Sequence, residues 1–373
     1  MGLVGTYFHL NLMQENPLSD FFDFLWASCA FWVFDRVVRL GRVFLLNFGI
    51  TPNGAGNRVT RLEARLVSQD TVHYRIFPTG SPAEALLRTK AGQHIFINCP
   101  SVEPMTMHPF SFVACGRDEG NGSFYIDVYG RVEHGFTARL ARKIKTTAGG
   151  TYRCMAFVEG PYGHALELRP YDQICLFSAG IGITHCLAGL SQACVTIDDT
   201  VSPDSQQDCE GKTNTPHRTI SLVWVYRDPE TFEVAEIHLK QLEAHLATLQ
   251  NPPTVLVKAF CTGSTELPLP TLSQDGSPSQ TVSVFSCGEK SDRDEKQAQP
   301  LEMLQPFLTI TKHAGRPELK RELMLACEQN PEAPRTAVVA CGPTWFSDLM
   351  RSEVAETRVE GVTVDFFDEV FAW

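Results

Sequence analysis

An antiparallel β-barrel followed by a doubly wound α/β domain is the predicted fold, with a hydrophobic helix ahead of both. Three features of the chain predict it. Between Asn57 and Leu168 the short runs VTRLEARLV, VHYRIFP, QHIFINC, SFYIDVYG and TYRCMAFVEG alternate apolar and polar residues, with Gly and Pro punctuating them; this is the pattern of a small barrel. From Tyr171 onward, apolar strand, glycine loop and helix recur through ICLFSAGIGIT, ISLVWVYR, TVLVKAF, TAVVACGPTW and VTVDFF, which predicts a parallel sheet covered by helices. Ahead of both, Phe21 to Phe34 reads FFDFLWASCAFWVF. The expected division is a hydrophobic helical segment over 1–50, the barrel over 51–168 and the α/β domain over 169–373.

The apolar run of the first segment, broken by Asp23, is shorter than the ~20 residues a free-standing span requires. It is followed by Arg36, Arg39 and Arg42 at three-residue intervals, and an apolar stretch ending in arginines obeys the positive-inside pattern. The segment is expected to be the end of a membrane domain; the alternative is a buried or interfacial amphipathic helix. Under either reading the remainder faces the cytosol. A net charge of -11 excludes nucleic acid as a partner, since its phosphates would be repelled. The 12 cysteines contain no C-x-x-C pair and no signal-peptide cleavage pattern precedes them, so no disulfide framework and no metal site is expected. Residues 198–217 and 262–300 are dense in Ser, Pro, Gln, Asp and Gly and are expected to be disordered surface insertions.

Three motifs of the second domain point to a dinucleotide. Ser178-Ala179-Gly180-Ile181-Gly182-Ile183-Thr184 follows an apolar strand and opens a helix. Backbone amides at a helix start hold a pyrophosphate, and Gly180 and Gly182 permit the close approach. Taken alone a G-x-G is weak, with an ordinary turn as the alternative. The next apolar strand ends in Val225-Tyr226-Arg227-Asp228, where an adenosine ribose lies in such a sheet. Arg227 at that tip suits a 2′-phosphate and so NADPH over NADH; a solvated surface charge is the alternative. Finally, Thr336 to Ala340 runs into Cys341-Gly342-Pro343, placing a thiol at the ligand-binding edge of the sheet, or else a buried structural cysteine.

Five motifs stand in register: His108-Pro109-Phe110-Ser111, Glu159-Gly160-Pro161-Tyr162-Gly163, the Gly180–Thr184 loop, Cys341-Gly342-Pro343 and the terminal Phe371-Ala372-Trp373. From about Phe31 to Trp373, outside the two insertions, the chain resembles fungal ferric-chelate reductases, within the ferredoxin-reductase-like group that includes the NADPH oxidases. The resemblance implies that His108, Pro109, Phe110 and Ser111 line the isoalloxazine of FAD, with the Ser111 hydroxyl toward flavin N5. It implies that Arg131 and the turn Gly135-Phe136-Thr137 face the FAD pyrophosphate, which agrees with a helix starting at ARLARKI. Cys341 would sit beside the nicotinamide with Gly342 and Pro343, and Trp373 would shield the flavin until displaced. A terminal Trp left in water forgoes about 1.5–3 kcal/mol, so some docking of Trp373 is expected.

The implied activity is an FAD-dependent oxidoreductase that takes hydride from NADPH and delivers single electrons to haem or to a ferric or cupric chelate, with the catalytic domains on the cytosolic side of a membrane, the plasma membrane by family. Ser111, Cys341 and Trp373 are the catalytic candidates. Hydride transfer requires no general base, so none is assigned, and His238 and His245 are expected as surface or packing residues. The alternatives are an NADPH oxidase-like superoxide producer and a non-catalytic truncated paralogue. Complete family members carry membrane helices whose paired histidines ligate two haems. His9 is the only histidine before His73, so bis-histidine ligation within the chain is not expected. The chain therefore reads as an N-terminally truncated member, either a fragment or a true shortened paralogue, with haem expected of the full-length family but its ligands absent here. Ala179 stands where the family's nucleotide loop often has glycine, and His185 where proline often follows the threonine; both would weaken nucleotide binding.

Overall fold

The alternating segments after residue 58 pair into one antiparallel sheet. The computed structural model describes residues 19–49, 59–195, 218–263 and 307–370, apart from 80–82, 85–86, 89, 119, 121, 250, 330–334 and 358–362, with the backbone alone at 19–23, 195 and 370. Strands β1 (Arg61–Leu66), β2 (Thr71–Phe77), β3 (His94–Asn98), β4 (His108–Arg117), β5 (Phe124–Arg131), β6 (Thr151–Met155) and β7 (Phe157–Tyr162) lie in the order β6-β1-β2-β5-β4-β3-β7. The two outer strands, β6 and β7, are joined in the chain by Ala156 alone, so the sheet curls back on itself as a barrel. TYRCMAFVEG, expected as one strand, is thus two. Its buried Ala156 leaves the β1–β6 pairing and donates to the Thr60 carbonyl at 3.1 Å. Alternate residues of the strands fill the interior, among them Leu62, Ala64, Tyr74, Ile76, Ile95, Ile97, Ile126 and Val128, all fully buried. Helix α1 is Ser19–Asn47 and α2 is Phe136–Thr146; α2 packs on β1 and β6 and buries Phe136, Leu140, Ala141 and Ile144, one stripe at helical spacing.

The second sheet is wholly parallel. Strands β8 (Gln173–Ala179), β9 (Thr219–Tyr226), β10 (Thr254–Cys261), β11 (Leu308–Ala314), β12 (Arg335–Gly342) and β13 (Thr363–Val370) lie in the order β11-β10-β9-β8-β12-β13. The connecting helices are α3 (Ile183–Val195), α4 (Phe232–Leu246), α5 (Leu319–Glu328) and α6 (Thr344–Glu356). The order reverses between β8 and β12, and the crevice outside the carboxyl ends of those two strands is where such sheets bind ligands. All seven residues of β8 are buried, which accounts for its unbroken apolar sequence. The insertion 198–217 lies outside the described residues, as do His9 and the ending Phe371-Ala372-Trp373. Of 262–300, Thr262 and Gly263 are described, and they are ordered: the Thr262 amide donates to the Tyr226 carbonyl at 2.8 Å. A Cβ on Gly263 would lie 2.1 Å from the Arg227 oxygen, so the close-packed edge of the sheet extends to this point.

Among the described residues no helix is long and apolar enough to cross a membrane. The arginines of α1 are divided in their contacts. Arg36 pairs with its neighbour Asp35, whereas Arg39 donates from Nε and Nη2 to the buried Glu159 carboxylate at 3.0 and 2.8 Å. Arg42 donates to the Gly160 carbonyl at 2.6 Å and lies over the Tyr162 ring. Asn47 brackets the Val158 backbone, donating to its carbonyl and accepting from its amide, each at 2.7 Å. The end of α1 is therefore riveted to β7, while Phe31, Phe34 and Leu40 stand 76, 67 and 69% exposed.

Glu159 shares its charge with Arg39 and accepts from the Tyr162 hydroxyl at 2.5 Å. Arg39→Ala strips a buried carboxylate of its cation and is expected to destabilise the chain by about 2–4 kcal/mol. Arg36→Ala, which removes an exposed pair, should change stability by about 1 kcal/mol or less. Urea unfolding of the two variants compares them, and equal effects would show that Arg39 adds nothing to the docking.

Candidate functional site

At the end of β8 the chain turns through a 3₁₀ segment, Gly180–Gly182, directly into α3. Gly180 has a φ of 56° with open space where a Cβ would be, a conformation that favours glycine. Gly182 is required for a different reason: a Cβ there would lie 2.3 Å from the Cys341 carbonyl oxygen. The glycine turn thus rests on the end of β12, and Gly180, Gly182, Cys341 and Gly342 are brought together at the switch point. Trp224 Nε1 donates to the Gly180 carbonyl at 2.9 Å from β9, and Thr184 Oγ1 donates to the Ile181 carbonyl at 3.0 Å. Ala179 packs at 7% exposed beneath the turn and touches the Gly342 position, so its methyl occupies the core side of the loop.

The Cys341 thiol is completely buried, and burial pushes its pKa well up. It is a protonated thiol beneath the crevice floor, while Pro343 and Trp345, at the start of α6, are exposed above it. Ser178 Oγ, also fully buried at the end of β8, has no hydrogen-bond partner among the described residues. Arg227 stands exposed at the end of β9, held by its own carbonyl to the Cys261 thiol at 3.6 Å.

The barrel contributes the opposite wall. Helix α3 packs against β4, and the glycine turn touches β5. On β4, His108 stacks on Phe136 with ring centroids 4.4 Å apart, and Phe110 fills the space between Tyr74 and Phe136. Ser111 is half-buried and lies opposite His94 of β3. Gly135 caps α2 at a φ of 72° with no side-chain capping bond and nothing near a built Cβ. Thr137 Oγ1 accepts from the Glu133 amide at 2.8 Å. Arg131, at the end of β5, is exposed and lies 3.5 Å from Asp70 and 4.0 Å from Glu133. Glu103, singled out by no sequence motif, reaches His108 Nε2 and Arg139 Nη2 at 3.2 Å each, tying the turn before β4 to the first turns of α2.

A second buried polar group joins the domains. Asp127 of β5 is bidentate with Arg75 at 2.8 and 2.7 Å and 2.9 Å from His73 Nε2. Burial raises its pKa, but these partners outweigh burial and bring it down to about 2. His73 stacks on Tyr129, whose hydroxyl lies 3.0 Å from His238 Nε2 on α4. Burial holds the pKa of His238 down to about 4, so it is a neutral imidazole that shares this hydrogen bond with Tyr129 across the domain boundary. His238 is a packing residue, as expected, with the added task of joining the domains. The Nε2 of His245 is buried without a hydrogen-bond partner among the described residues, and His185, in the first turn of α3, is buried with its pKa also down to about 4.

Two family models match the chain: residues 57–166 match an FAD-binding domain and residues 171–355 a ferric reductase NAD binding domain. The two domains are those of the ferric reductase family. The chain is 24% identical over 381 residues to a probable ferric reductase transmembrane component of Candida albicans, covering 100% of this chain and 47% of that protein. It is 24% identical over 384 residues to ferric/cupric reductase transmembrane component 2 of Saccharomyces cerevisiae, covering 100% and 46%. With NADPH oxidase 1 of Mus musculus it shares 23% over 260 residues, 69% of this chain and 38% of that one. The chain spans about half the length of the ferric reductases it matches. A flavohemoglobin structure from Malassezia yamatoensis is similar at a TM-score of 0.47 and 16% identity, covering 85% of this chain and 61% of that one.

The family's two cofactors fit what the crevice presents. The 3₁₀ turn that leads into α3 and the starts of α2 and α6 have no side-chain caps at Ala179, Gly135 and Pro343, leaving amides to meet phosphate. Open space at Gly135 and Gly180 leaves room for the approach, and Ser178 Oγ awaits a partner.

His185 and His238 each have a folded pKa of about 4 against the ordinary 6.5. Their contribution to stability is complete above pH 6.5 and is lost as pH falls from 6.5 towards 4, because the unfolded chain takes up the protons first. The loss is on the order of 3 kcal/mol per histidine at the acid end. His238→Asn should flatten the fall of the urea midpoint between pH 6.5 and 4.5 by about half; an unchanged pH slope would show that His238 is protonated at no cost to the fold.

Proposed function

We propose that the chain is the cytosolic electron-entry half of a ferric- or cupric-chelate reductase, with NADPH as donor. The observation that carries the reading is the meeting of a ferric reductase NAD binding domain, at its switch point, with the β4 motif of an FAD-binding barrel. Bound FAD would accept hydride from NADPH and release electrons one at a time, which matches a two-electron donor to a one-electron acceptor. The protein's part is to hold and align. The division 51–168 and 169–373 assigns each cofactor its domain.

In this reading the β4 residues His108, Pro109 and Phe110 wall the isoalloxazine, and the half-buried Ser111 hydroxyl hydrogen-bonds flavin N5. The uncapped amides at Gly135-Phe136-Thr137 take the FAD pyrophosphate, with Arg131 exchanging Asp70 for phosphate. Gly180, Gly182 and Thr184 form the NADPH pyrophosphate turn, and Cys341, Gly342 and Pro343 form the floor beneath the nicotinamide. With its thiol buried and protonated, Cys341 acts by shape, excluding water beneath the reacting ring. The aromatic outer face of α1 suits a membrane, as do the relatives named transmembrane components, so we place α1 at the cytosolic edge of a membrane portion that supplies haem.

Two measurements test this. Purified protein with FAD should bleach at the flavin band on adding NADPH under nitrogen and then reduce ferric citrate; superoxide formation in air with no chelate reduction would favour the oxidase-like reading. Arg227→Ala should raise the NADPH Michaelis constant some ten- to hundredfold, corresponding to a charge-assisted phosphate contact of about 1.5–3 kcal/mol, while leaving NADH unaffected. Equal effects on the two nucleotides would remove Arg227 from the 2′-phosphate site.

A further inference from the structure

The two domains meet along α3, which packs on β4 and is buried from Ile183 to Leu190. Burial of apolar surface is non-directional, so it holds the two faces together without setting the angle between them. Hydrogen bonds weaken steeply when their own angle is lost, and those that cross the boundary lie at two places. Towards the end of α3, Gln192 Oε1 accepts from the Ala91 amide at 2.8 Å and Nε2 donates to the Leu166 carbonyl at 3.0 Å. On α4, which packs beside α3, the second place is made by His238 and Glu233. His238 Nε2 lies 3.0 Å from the Tyr129 hydroxyl, the two rings meeting edge to face at 5.7 Å, both buried. Glu233 Oε1 lies 3.8 Å from Arg65 Nη1 at the exposed rim.

The barrel side of this second contact is rigid. Arg65 Nε donates to His73 Nδ1 at 3.2 Å, and because a guanidinium only donates, the proton of that imidazole sits on Nε2, facing Asp127 at 2.9 Å. Asp127 is held in turn by the two bonds from Arg75. Tyr129 stacks on the fixed His73 ring at 4.6 Å and 21°, which aims its hydroxyl at α4. Arg65 links the two contacts, touching His73 through Nε and Glu233 through Nη1. An apolar pair of the same shape would leave a fold about as stable; what a buried hydroxyl and imidazole add is direction.

Helix α4 follows Arg227 closely. The Asp228 carboxylate accepts from the Glu230 amide at 3.2 Å, and after the Pro229–Thr231 turn the helix begins at Phe232. Arg227 is held from the other side, by the Cys261 thiol on its carbonyl and by the close approach of Gly263. A change at Tyr129 or His238 therefore alters the angle between the domains and leaves the end of β9 in place.

We propose that Tyr129 and His238 are positioning residues for hydride transfer, forming a clasp that fixes the angle at which the crevice of the parallel sheet faces the flavin motif of β4. Reacting atoms must stand about 3–3.5 Å apart, and a misplacement of about 1 Å costs about a hundredfold in rate. Alignment to that tolerance across a domain boundary needs directional contacts in addition to apolar ones. The positioning role rests on the cofactor placement proposed above; the clasp itself does not.

The clasp is tested first on the full chain without cofactors, by urea unfolding at neutral pH. Tyr129→Phe removes one oxygen and keeps the stack on His73. Tyr129→Phe and His238→Ala should each lower the urea midpoint, and the double variant should lower it no further than His238→Ala alone; additive losses would overturn the contact. Alignment is tested by stopped-flow reduction of bound FAD by NADPH. Tyr129→Phe should slow the limiting rate roughly tenfold with the half-saturating NADPH concentration unchanged. His238→Gln, which returns a polar group near the Nε2 position, should recover most of the rate lost in His238→Ala. An unchanged limiting rate, or loss of FAD from the variants, would overturn the positioning role. Absence of flavin reduction in the wild type would remove the proposed function and the positioning role together, while the urea comparison still decides the clasp.

Discussion

Where β8 ends, the polypeptide rests on the Cys341 carbonyl so closely that even a methyl group on Gly182 would lie 2.3 Å from that oxygen. The start of α3, the open amides of the turn and the depth of the crevice all follow from this contact. The neighbouring strand reinforces it, since Trp224 is fully buried, stacks on Tyr226 and holds the Gly180 carbonyl. Because α3 leaves the turn to pack against β4, the position of one glycine over one carbonyl also sets how the barrel faces the parallel sheet.

Buried charge sets the other fixed points. A carboxylate removed from water costs several kcal/mol unless cations and donors surround it. Asp127 therefore commits Arg75 and His73, and through the His73–Tyr129 stack it fixes the hydroxyl that meets His238 from the second domain. Glu159 likewise commits Arg39 and Tyr162, so that α1 ends on β7 in one orientation. At Glu159 the charge inside the barrel is compensated by an element outside it, whereas Asp127 is compensated by Arg75 and His73 of the adjacent strand β2. The apolar outer surface of α1, with Phe31, Phe34 and Leu40 exposed, is consequently held at a fixed angle to the barrel.

The barrel and the parallel sheet were legible because each leaves a periodic trace. Apolar residues at alternate positions, Leu62 and Ala64 of β1, Val72, Tyr74 and Ile76 of β2, and Ile126 and Val128 of β5, write a period of two, and β8, buried throughout, and β12, buried after Arg335, write apolar runs. β4 was not read as a strand, since Pro109, Cys115 and Gly116 interrupt its pattern, although its motif residues were noticed. β11 escaped because its half-exposed residues, Leu308 to Ala314, carry only a weak contrast and follow a long stretch of different composition. The glycine turn and Cys341-Gly342-Pro343 were recognisable as motifs because close backbone approach demands particular residue types at fixed spacing.

What the sequence by itself determined was local: which segments pair or coil, which turns need glycine, and that a glycine turn opens α3. Tertiary structure alone decided the rest. It gave Arg39 and Arg42 their partners on β7, buried the Cys341 thiol, and gave Glu103 two partners, His108 and Arg139, 5 and 36 positions along the chain. The physical reason is common to these cases. A charge or a thiol takes its role from the groups that solvate or bury it, and those lie on strands and helices that are distant in sequence and adjacent only once the barrel and the sheet have closed.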